Sequence, residues 1–489
     1  MKKFLATLAA ILLSTNTTFA AEGMTLTLDE AITLALKNNR LIEQSTDDRE
    51  AARWNLSAVR RRSGLTFSWS SSLNHIGGRY YRTARARHDE YNFAKGLGYD
   101  INMSLYPSYD NENTNSLSLS MPLYTGGRLE NQREAARYGL NAADLTLENS
   151  RQQVKYQAAA AYYQVLQRAS LVDVQKQAVE LLQEHLRTVS IQYEVGTVAK
   201  SDVLATSVQL ANSQQSLNTA QGNYLTAVAQ LNNILGLSVD TEVATSDNLK
   251  FVHYNLTEAD CLEYALAHRP DGIAAVYAVK QAEAQTAAVK SGYRPNVNAV
   301  IQGNMSGEGF AQANHDPERW AVGLQMSWDI FDNGVTSAQV KQYKAVEHKA
   351  ESQAQQQIEQ IQLEVHSAYI ALKTAEKNIE TTATAVAKAE EDFAIAQIRY
   401  IEGVDTNLNV MNAQEKVVET RNNYYTALFN YNTSRAQLEK AMGVPVTIDA
   451  LLYTQAEQAG NSSPKSLEAA TIKNIYDGEQ KESTEPFNK

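Results

Sequence analysis

The chain has 489 residues, a formal net charge of −11, 8 prolines and one cysteine. The acidic balance argues against nucleic-acid binding, which needs a basic face, and a lone cysteine excludes an intramolecular disulfide. The scarcity of proline favours long helices. We expect Cys261 to behave as a small buried apolar residue.

The first twenty residues have the pattern of a secretory signal peptide. Lys2 and Lys3 precede an apolar run from Phe4 to Leu13, and small residues stand at Thr18 and Ala20. The run is shorter than the about 20 apolar residues of a transmembrane helix. We therefore expect cleavage after Ala20, export of the mature chain, and no spanning helix later in the sequence.

The remainder of the chain is an internal duplication. The segment from Tyr193 to Gly196 recurs from Tyr400 to Gly403 at an offset of 207 residues, whereas Leu26 recurs as Leu256 at an offset of 230. The first half therefore contains 23 extra residues, which we assign to a loop, where insertions are tolerated. The predicted organisation is a signal peptide (1–20), a first repeat (21–236), a linker or equatorial segment (237–255), a second repeat (256–443), and a C-terminal equatorial segment with a disordered tail (444–489).

Both repeats have the same predicted order of elements: a helix, a strand pair, a long helix and a shorter return helix. The long helices lie between Gly127 and Gly196 and between Gly334 and Gly403, in proline-free stretches of 68 residues. At the α-helical rise each would be roughly 100 Å long. The other predicted helices are Leu28–Arg62, Val198–Leu235, Thr257–Ser291 and Val404–Met442.

The strand regions alternate between apolar and polar residues with a period of two. The clearest stretch runs from Trp320 to Ile330, and weaker alternation predicts strands over 66–73, 116–123 and 297–305. A tilted transmembrane strand has about 9–11 residues and aromatic residues near its ends. An ordinary antiparallel sheet with one buried face is the alternative interpretation.

Three tryptophans near the strand ends are predicted to form a membrane girdle. They are Trp69, Trp320 and Trp328. The segment Leu97–Tyr106 also alternates, and we assign it to the first extracellular loop.

Four strands cannot close a barrel, and an open sheet edge is not tolerated in lipid. Eight strands leave an interior that side chains fill, whereas three copies of this chain would supply twelve strands and a wet lumen. Oligomerisation is therefore required, although the residues alone do not fix the number of copies.

The pattern resembles the TolC family of outer-membrane efflux proteins over about residues 26–444. The resemblance rests on the paired turns at Tyr193–Gly196 and Tyr400–Gly403, on the Pro122–Gly127 strand-to-helix junction, and on a Leu-Gly or Met-Gly pair closing each half. It implies an α+β membrane protein with a duplicated helical hairpin. It further implies a homotrimer, with a twelve-stranded β-barrel of four strands per protomer in the outer membrane and a long periplasmic α-helical tunnel.

The resemblance also implies partners and a gate. The partners are a periplasmic adaptor and an inner-membrane pump, and the gate closes the periplasmic helix tips with polar links. By position, Asp202 and Tyr400 match two linking residues of the family, while Asp405 stands where its best-known member has an arginine. Lys200, in the facing turn, is a candidate ion-pair partner for Asp405.

The constriction of that family carries a ring of aspartates, and here Asn409 and Asn412 stand in their place. A plainer interpretation applies to the same turns. Gly196 and Gly403 suit helix C′ positions, Ser201 suits an N-cap, and Asp202 suits the positive end of a helix. Asp405 or Thr406 could cap the other return helix in the same way.

No sequence motif points to an enzyme, a cofactor or a metal site. There is no phosphate-binding loop, no paired metal-binding histidines and no nucleophile elbow, and the methionines are not clustered for copper. The alternative from another class is a periplasmic coiled-coil adaptor or scaffold without a pore. The cargo stays open between multidrug efflux and type I protein secretion.

Overall fold

The computed structural model describes residues 24–75, 93–98, 111–308 and 319–446. The expected signal peptide, residues 99–106 of the expected extracellular loop and the expected tail beyond residue 446 lie outside the described residues. Residues 93–96 form one helical turn. The main elements are β1 Met24–Leu26, α1 Leu28–Asn38, α2 Arg40–Arg61, β2 Thr66–His75, β3 Asn111–Tyr124, α3 Arg128–Glu194, α4 Lys200–Leu235, β4 Val243–Thr245, α5 Glu258–His268, α6 Pro270–Lys290, β5 Asn296–Glu308, β6 Arg319–Ser327, α7 Val335–Ile401 and α8 Asn407–Ala441.

The two long helices predicted between glycines are confirmed. Helices α3 and α7 have 67 residues each, and they return through α4 and α8 with 36 and 35 residues. Glycine ends each long helix because Gly196 and Gly403 adopt positive φ angles of 82° and 75°, which residues with a Cβ atom rarely adopt. None of the described helices contains an apolar stretch long enough to cross a membrane.

The first helix of each half is broken, so the predictions of continuous helices over 28–62 and 257–291 were wrong. The breaks fall at Asn39 and Arg269, whose backbones are extended. Each side chain donates a hydrogen bond to a carbonyl at the end of the return helix, Asn39 to Ile234 and Arg269 to Ala441. In the second half Pro270 also disfavours a helical residue before it.

The chain divides into two compact units. The helical unit comprises residues 24–49, 142–276 and 353–446, and the strand unit comprises residues 50–75, 93–98, 111–141, 277–308 and 319–352. The helical unit has one large apolar core for each repeat, in which fully buried Tyr162 and Tyr431 are the largest side chains, and a smaller apolar cluster at the hairpin tips. Buried Cys261 lies in the second core, as predicted. A short parallel pair, β1 with β4, borders the first core.

The strand unit contains one antiparallel sheet in the order β2-β3-β5-β6. Its register pairs Trp69 with Leu117 and Trp320 with Gly303. The apolar row of β6 is open, since Trp320, Val322 and Leu324 are 76%, 64% and 72% exposed. A sheet that covers a water-soluble core buries its apolar face. The single chain therefore does not support the interpretation as an ordinary half-buried sheet.

Strand β6 ends at Ser327, three residues before the predicted end at Ile330. The indole N–H of Trp328 donates to the backbone carbonyl of Tyr293 at 3.2 Å, so this side chain is held against the turn before β5. Beyond it the Asp332 carboxylate accepts backbone N–H bonds from Gly334 and Thr336. These bonds begin α7 instead of prolonging the strand.

Candidate functional site

The two helical hairpins, α3–α4 and α7–α8, end in turns of the same geometry. The third residue after each long helix closes the turn with a backbone bond to the residue five positions earlier: Thr197 N–H to Gln192 O and Val404 N–H to Arg399 O, both 2.9 Å. Together with the left-handed glycines these bonds form the Schellman motif. Gly196 and Gly403 therefore have the C′ role that the sequence suggested.

The return helices begin without side-chain caps from the predicted residues. The N-cap of α4 is Ala199, not Ser201, and the N-cap of α8 is Thr406, whose hydroxyl makes no capping bond. The prediction of Ser201 as an N-cap was wrong because α4 starts at Lys200, so that Ser201 is already inside the helix. Asp202 lies in the first turn of α4, where the positive end of the helix dipole favours an acidic side chain.

Asp405 is engaged within its own hairpin. Its carboxylate accepts hydrogen bonds from Asn409 Nδ2 at 2.5 Å and from the Thr406 backbone N–H at 2.8 Å, and it lies 3.5 Å from Arg399 Nε. The bond from Asn409, followed by the Thr406 N–H bond, holds the pKa of Asp405 below its ordinary value. The cation beside Asp405 is therefore Arg399, and the pairing with Lys200 stays a prediction.

Asn409 and Asn412 lie on the same side of the second hairpin as Asp405. All three residues line a groove of about 240 Å³ between α7 and α8, together with Arg399 and Lys416. The fold thus brings three of the six predicted gate residues into one surface, and Lys200 is not among them.

A buried polar network joins the two hairpins near their tips. Asn407 is 5% exposed, and its Nδ2 donates to Thr206 Oγ1 at 2.9 Å and to the backbone carbonyl of Asp202 at 3.2 Å. Its Oδ1 lies 2.7 Å from Nε2 of His185 on α3. One side chain at the start of α8 is therefore satisfied by both helices of the first hairpin.

Tyr400 makes a second link between the hairpins. Its hydroxyl donates to Gln192 Oε1 at 2.7 Å, and its ring meets the His185 ring edge-on at 5.4 Å. Burial, and then the Asp202 carboxylate, raise the pKa of Tyr400. The direct hydrogen bond of Tyr400 goes to Gln192, and a link between Tyr400 and Asp202 stays a prediction.

Sequence patterns did not single out four residues of these links: His185, Gln192, Thr206 and Asn407. A spacing signal was available for two of them, because His185, Val189 and Gln192 follow the i, i+4, i+7 pattern of one helix face. Val189 is fully buried with Tyr400 in the apolar cluster at the tips. No comparable pattern singles out Asn407, since a polar residue in a first helical turn is ordinary.

The predicted girdle tryptophans are all exposed in the single chain. Trp69 lies in edge strand β2 and Trp320 in edge strand β6, whereas Trp328 follows β6 and is half exposed. A four-stranded antiparallel sheet with an open apolar face, on a chain with two long helical hairpins, defines the channel-tunnel class of outer-membrane protein.

Comparison with known proteins gives the family. Residues 31–237 and 261–444 match the model of the outer membrane efflux protein family, and the chain belongs to that family. It is 24% identical over 330 residues to the outer membrane efflux protein BepC of Brucella suis, covering 65% of this chain and 70% of BepC. It is 23% identical over 386 residues to TolC of Escherichia coli, covering 74% and 76% of the two chains.

A solved structure shares the fold. The CmeC outer membrane channel of Campylobacter jejuni superimposes with a TM-score of 0.72 at 17% identity, over 89% of this chain and 90% of that one. The family match and the similarity to TolC of Escherichia coli confirm the resemblance to the TolC family. The chain is an outer-membrane channel of efflux or type I secretion, and its family consists of channels rather than enzymes.

Proposed function

We propose that the chain acts as a homotrimer, with a shared twelve-stranded barrel in the outer membrane and a helical periplasmic tunnel that closes at the hairpin tips. The observation that carries this proposal is the sheet itself. Within the described ranges neither edge strand, β2 or β6, has a second strand beside it, and the apolar face of the sheet is exposed. Unpaired strand edges are not tolerated in lipid, so further copies must cover them.

The strand directions support closure by identical copies. Each neighbouring pair in the sheet is antiparallel, so β2 and β6 at the two edges run in opposite directions. Placing β6 of one copy beside β2 of the next continues the antiparallel alternation that bacterial outer-membrane barrels share. A scaffold without a pore would explain neither the opposite directions of the two edge strands nor the exposed apolar face of the sheet.

The oligomeric state and location test this proposal together. Membranes would be fractionated, the protein extracted in detergent, and the protein mass of the particle measured by light scattering. We expect outer-membrane pelleting and three copies per particle. A water-soluble monomer recovered without detergent would overturn the proposal and favour the scaffold.

We propose further that the tips form the gate. The predicted residues are Lys200, Asp202, Tyr400, Asp405, Asn409 and Asn412, between turns at Gly196 and Gly403. Closure needs many small contacts, because an exposed ion pair such as Lys200–Asp405 contributes only about 0–1 kcal/mol. The hydrogen-bonded link through Tyr400 and Gln192 supports the same location.

A periplasmic adaptor and an inner-membrane pump are the proposed partners. Apolar side chains at both turns are left exposed, among them Val195 at 69% and Val404 at 66%, and exposed apolar patches mark surfaces that partners cover. Copurification after crosslinking in cells would test this. Recovery of a pump of the drug-efflux class or of the secretion class would also identify the cargo class, and no cofactor is expected.

A further inference from the structure

The helical unit contains a cavity that the proposed gate and barrel do not use. It has a volume of about 360 Å³ and lies between the first turn of α1, the middle of α3 and the end of α8. Leu28, Ile32 and Val444 give it apolar walls. Its size is within the about 300–1,000 Å³ range of small-molecule sites.

Two tyrosines of α3, Tyr156 and Tyr163, also line the cavity. Burial raises the pKa of both phenols, so both keep their protons. Neither hydroxyl has a hydrogen-bond partner within the part of the chain that the structure describes. The cavity therefore has two aromatic walls with unused hydrogen-bond donors.

More cations than carboxylates line the cavity, and not every cation has a carboxylate beside it. Arg435 is neutralised by Glu439, with Nε and Oε1 3.3 Å apart, and Asp29 lies in the first turn of α1, where the helix end favours a negative charge. Lys155 and Lys440 line the cavity, and neither has a carboxylate within ion-pair distance among the described residues. The Lys440 ammonium helps to lower the pKa of Glu364, whose carboxylate is not part of the cavity lining.

The position of Lys440 indicates how these cations face the cavity. Its Nζ lies 5.7 Å from the centroid of the Tyr156 ring, so ammonium and aromatic wall are adjacent. Lys155 is half-buried one position before Tyr156. Unused donors and an excess of one positive charge, three cations against two carboxylates, thus surround an apolar floor.

We infer that this cavity binds a small organic anion with an aromatic or other apolar body and one carboxylate or sulfonate group. The body would lie against the apolar floor and the tyrosine rings. The anionic group would accept hydrogen bonds from the two ammonium groups and a phenol. A cation would be repelled by Lys155 and Lys440, and a neutral ligand would leave the excess positive charge of the lining in place.

Calorimetric titration of the full-length protein in a non-ionic detergent tests this inference, with protein-free detergent as the blank. The probe is naphthalene-2-sulfonate, and its neutral isostere is naphthalene-2-sulfonamide. Because a hydrogen bond to a charged group contributes about 1.5–3 kcal/mol, we expect the sulfonate to bind at least about tenfold more tightly. Equal affinity of the two probes, or no binding of the sulfonate, would overturn the inference.

A charge-matched pair of variants gives the second comparison. The double substitution Lys155→Gln with Lys440→Gln is expected to weaken sulfonate binding at least about tenfold. The control, Lys377→Gln with Lys388→Gln, removes the same charge from exposed positions on α7 and is expected to bind as the parent does. Unchanged binding by the cavity variant would contradict the inference. The comparison of the two probes needs no substitution, so it decides the matter even if that variant fails to fold.

Discussion

His185 and Asn407 connect the two hairpins of the chain at their tips, with Nε2 of His185 2.7 Å from Oδ1 of Asn407. The Nδ2 group of Asn407 donates both of its hydrogen bonds to the first hairpin. Its Oδ1 is therefore the acceptor in the contact with His185. The neutral imidazole therefore carries its proton on Nε2. This contact sets the pH and mutational behaviour expected of the proposed gate.

Replacement of Asn407 by leucine is expected to loosen the tips. The change leaves the partners of Asn407 on α3 and α4 unsatisfied, at a cost of about 1–3 kcal/mol. A loss of that much stabilising free energy shifts the equilibrium between closed and open tips about fivefold or more. Single-channel recording in a lipid bilayer should therefore show that the channel is open for a larger fraction of the time. Asn218→Ala, on the exposed side of α4, is the control. An Asn407→Leu channel that conducts like this control would show that the network does not hold the tips.

Acidification is expected to loosen the same contact. Burial lowers the pKa of His185 below its ordinary value of 6.5, and the bond to Asn407 offsets part of this effect. When the tips are packed together, the neutral form of His185 is therefore favoured. When they are separated, His185 takes up a proton at its ordinary pKa. The stability contributed by the buried neutral ring is fully present above pH 6.5 and is lost as the pH falls below it.

Conductance recorded against pH checks this expectation. The parent channel should conduct more as the pH falls below 6.5, and His185→Gln, which keeps an N–H donor, should lose that part of the rise. The exposed His348→Gln should behave as the parent does. A pH profile that is the same in parent and His185→Gln would assign the response to other groups.

The predicted Lys200–Asp405 link is tested by exchanging its charges. Asp405→Ala and Lys200→Ala should each raise the conductance of the closed channel, and Lys200→Asp combined with Asp405→Lys should restore it in part. Arg399→Ala is the matched variant, since Arg399 is the cation that lies 3.5 Å from Asp405 within the chain. If Asp405→Ala leaves the conductance unchanged, Asp405 plays no part in closure.

The asparagines at the proposed constriction predict weak block by divalent cations. Carboxylates are the oxygen ligands that hard divalent cations prefer, and a neutral amide supplies one carbonyl without charge. Asn409→Asp combined with Asn412→Asp should therefore make block by Mg²⁺ stronger in current recordings. Strong block of the parent that disappears on replacing Asn409 and Asn412 by alanine would contradict this prediction.

The large features of the fold could be predicted because they depend on repeated, local patterns. Proline-free stretches between Gly127 and Gly196 and between Gly334 and Gly403 gave the two long helices almost to the residue, because a left-handed glycine ends a helix by a local backbone rule. The alternation around Trp320 gave a strand because side chains of a strand alternate between its two faces.

The missed features depend on residues far apart in the chain. The helix break at Asn39 is fixed by a hydrogen bond to Ile234, about two hundred positions away, and the break at Arg269 by one to Ala441. Asn407 was missed for the same reason, since His185 and Thr206 belong to the other hairpin. Local periodicity contains no information on such contacts.

In the proposed trimer, identical copies complete the sheet by pairing β6 of one copy with β2 of the next. It is tested most directly by oxidative crosslinking in outer membranes, in a Cys261→Ala background, with one cysteine scanned along Thr66–His75 and another along Arg319–Ser327. We expect disulfide-linked dimers and trimers from a set of β2–β6 pairs and no species larger than three copies. Cysteines in the central strands β3 and β5 should give no intermolecular product. A scan without any intermolecular β2–β6 product, or a ladder that continues past three copies, would contradict it.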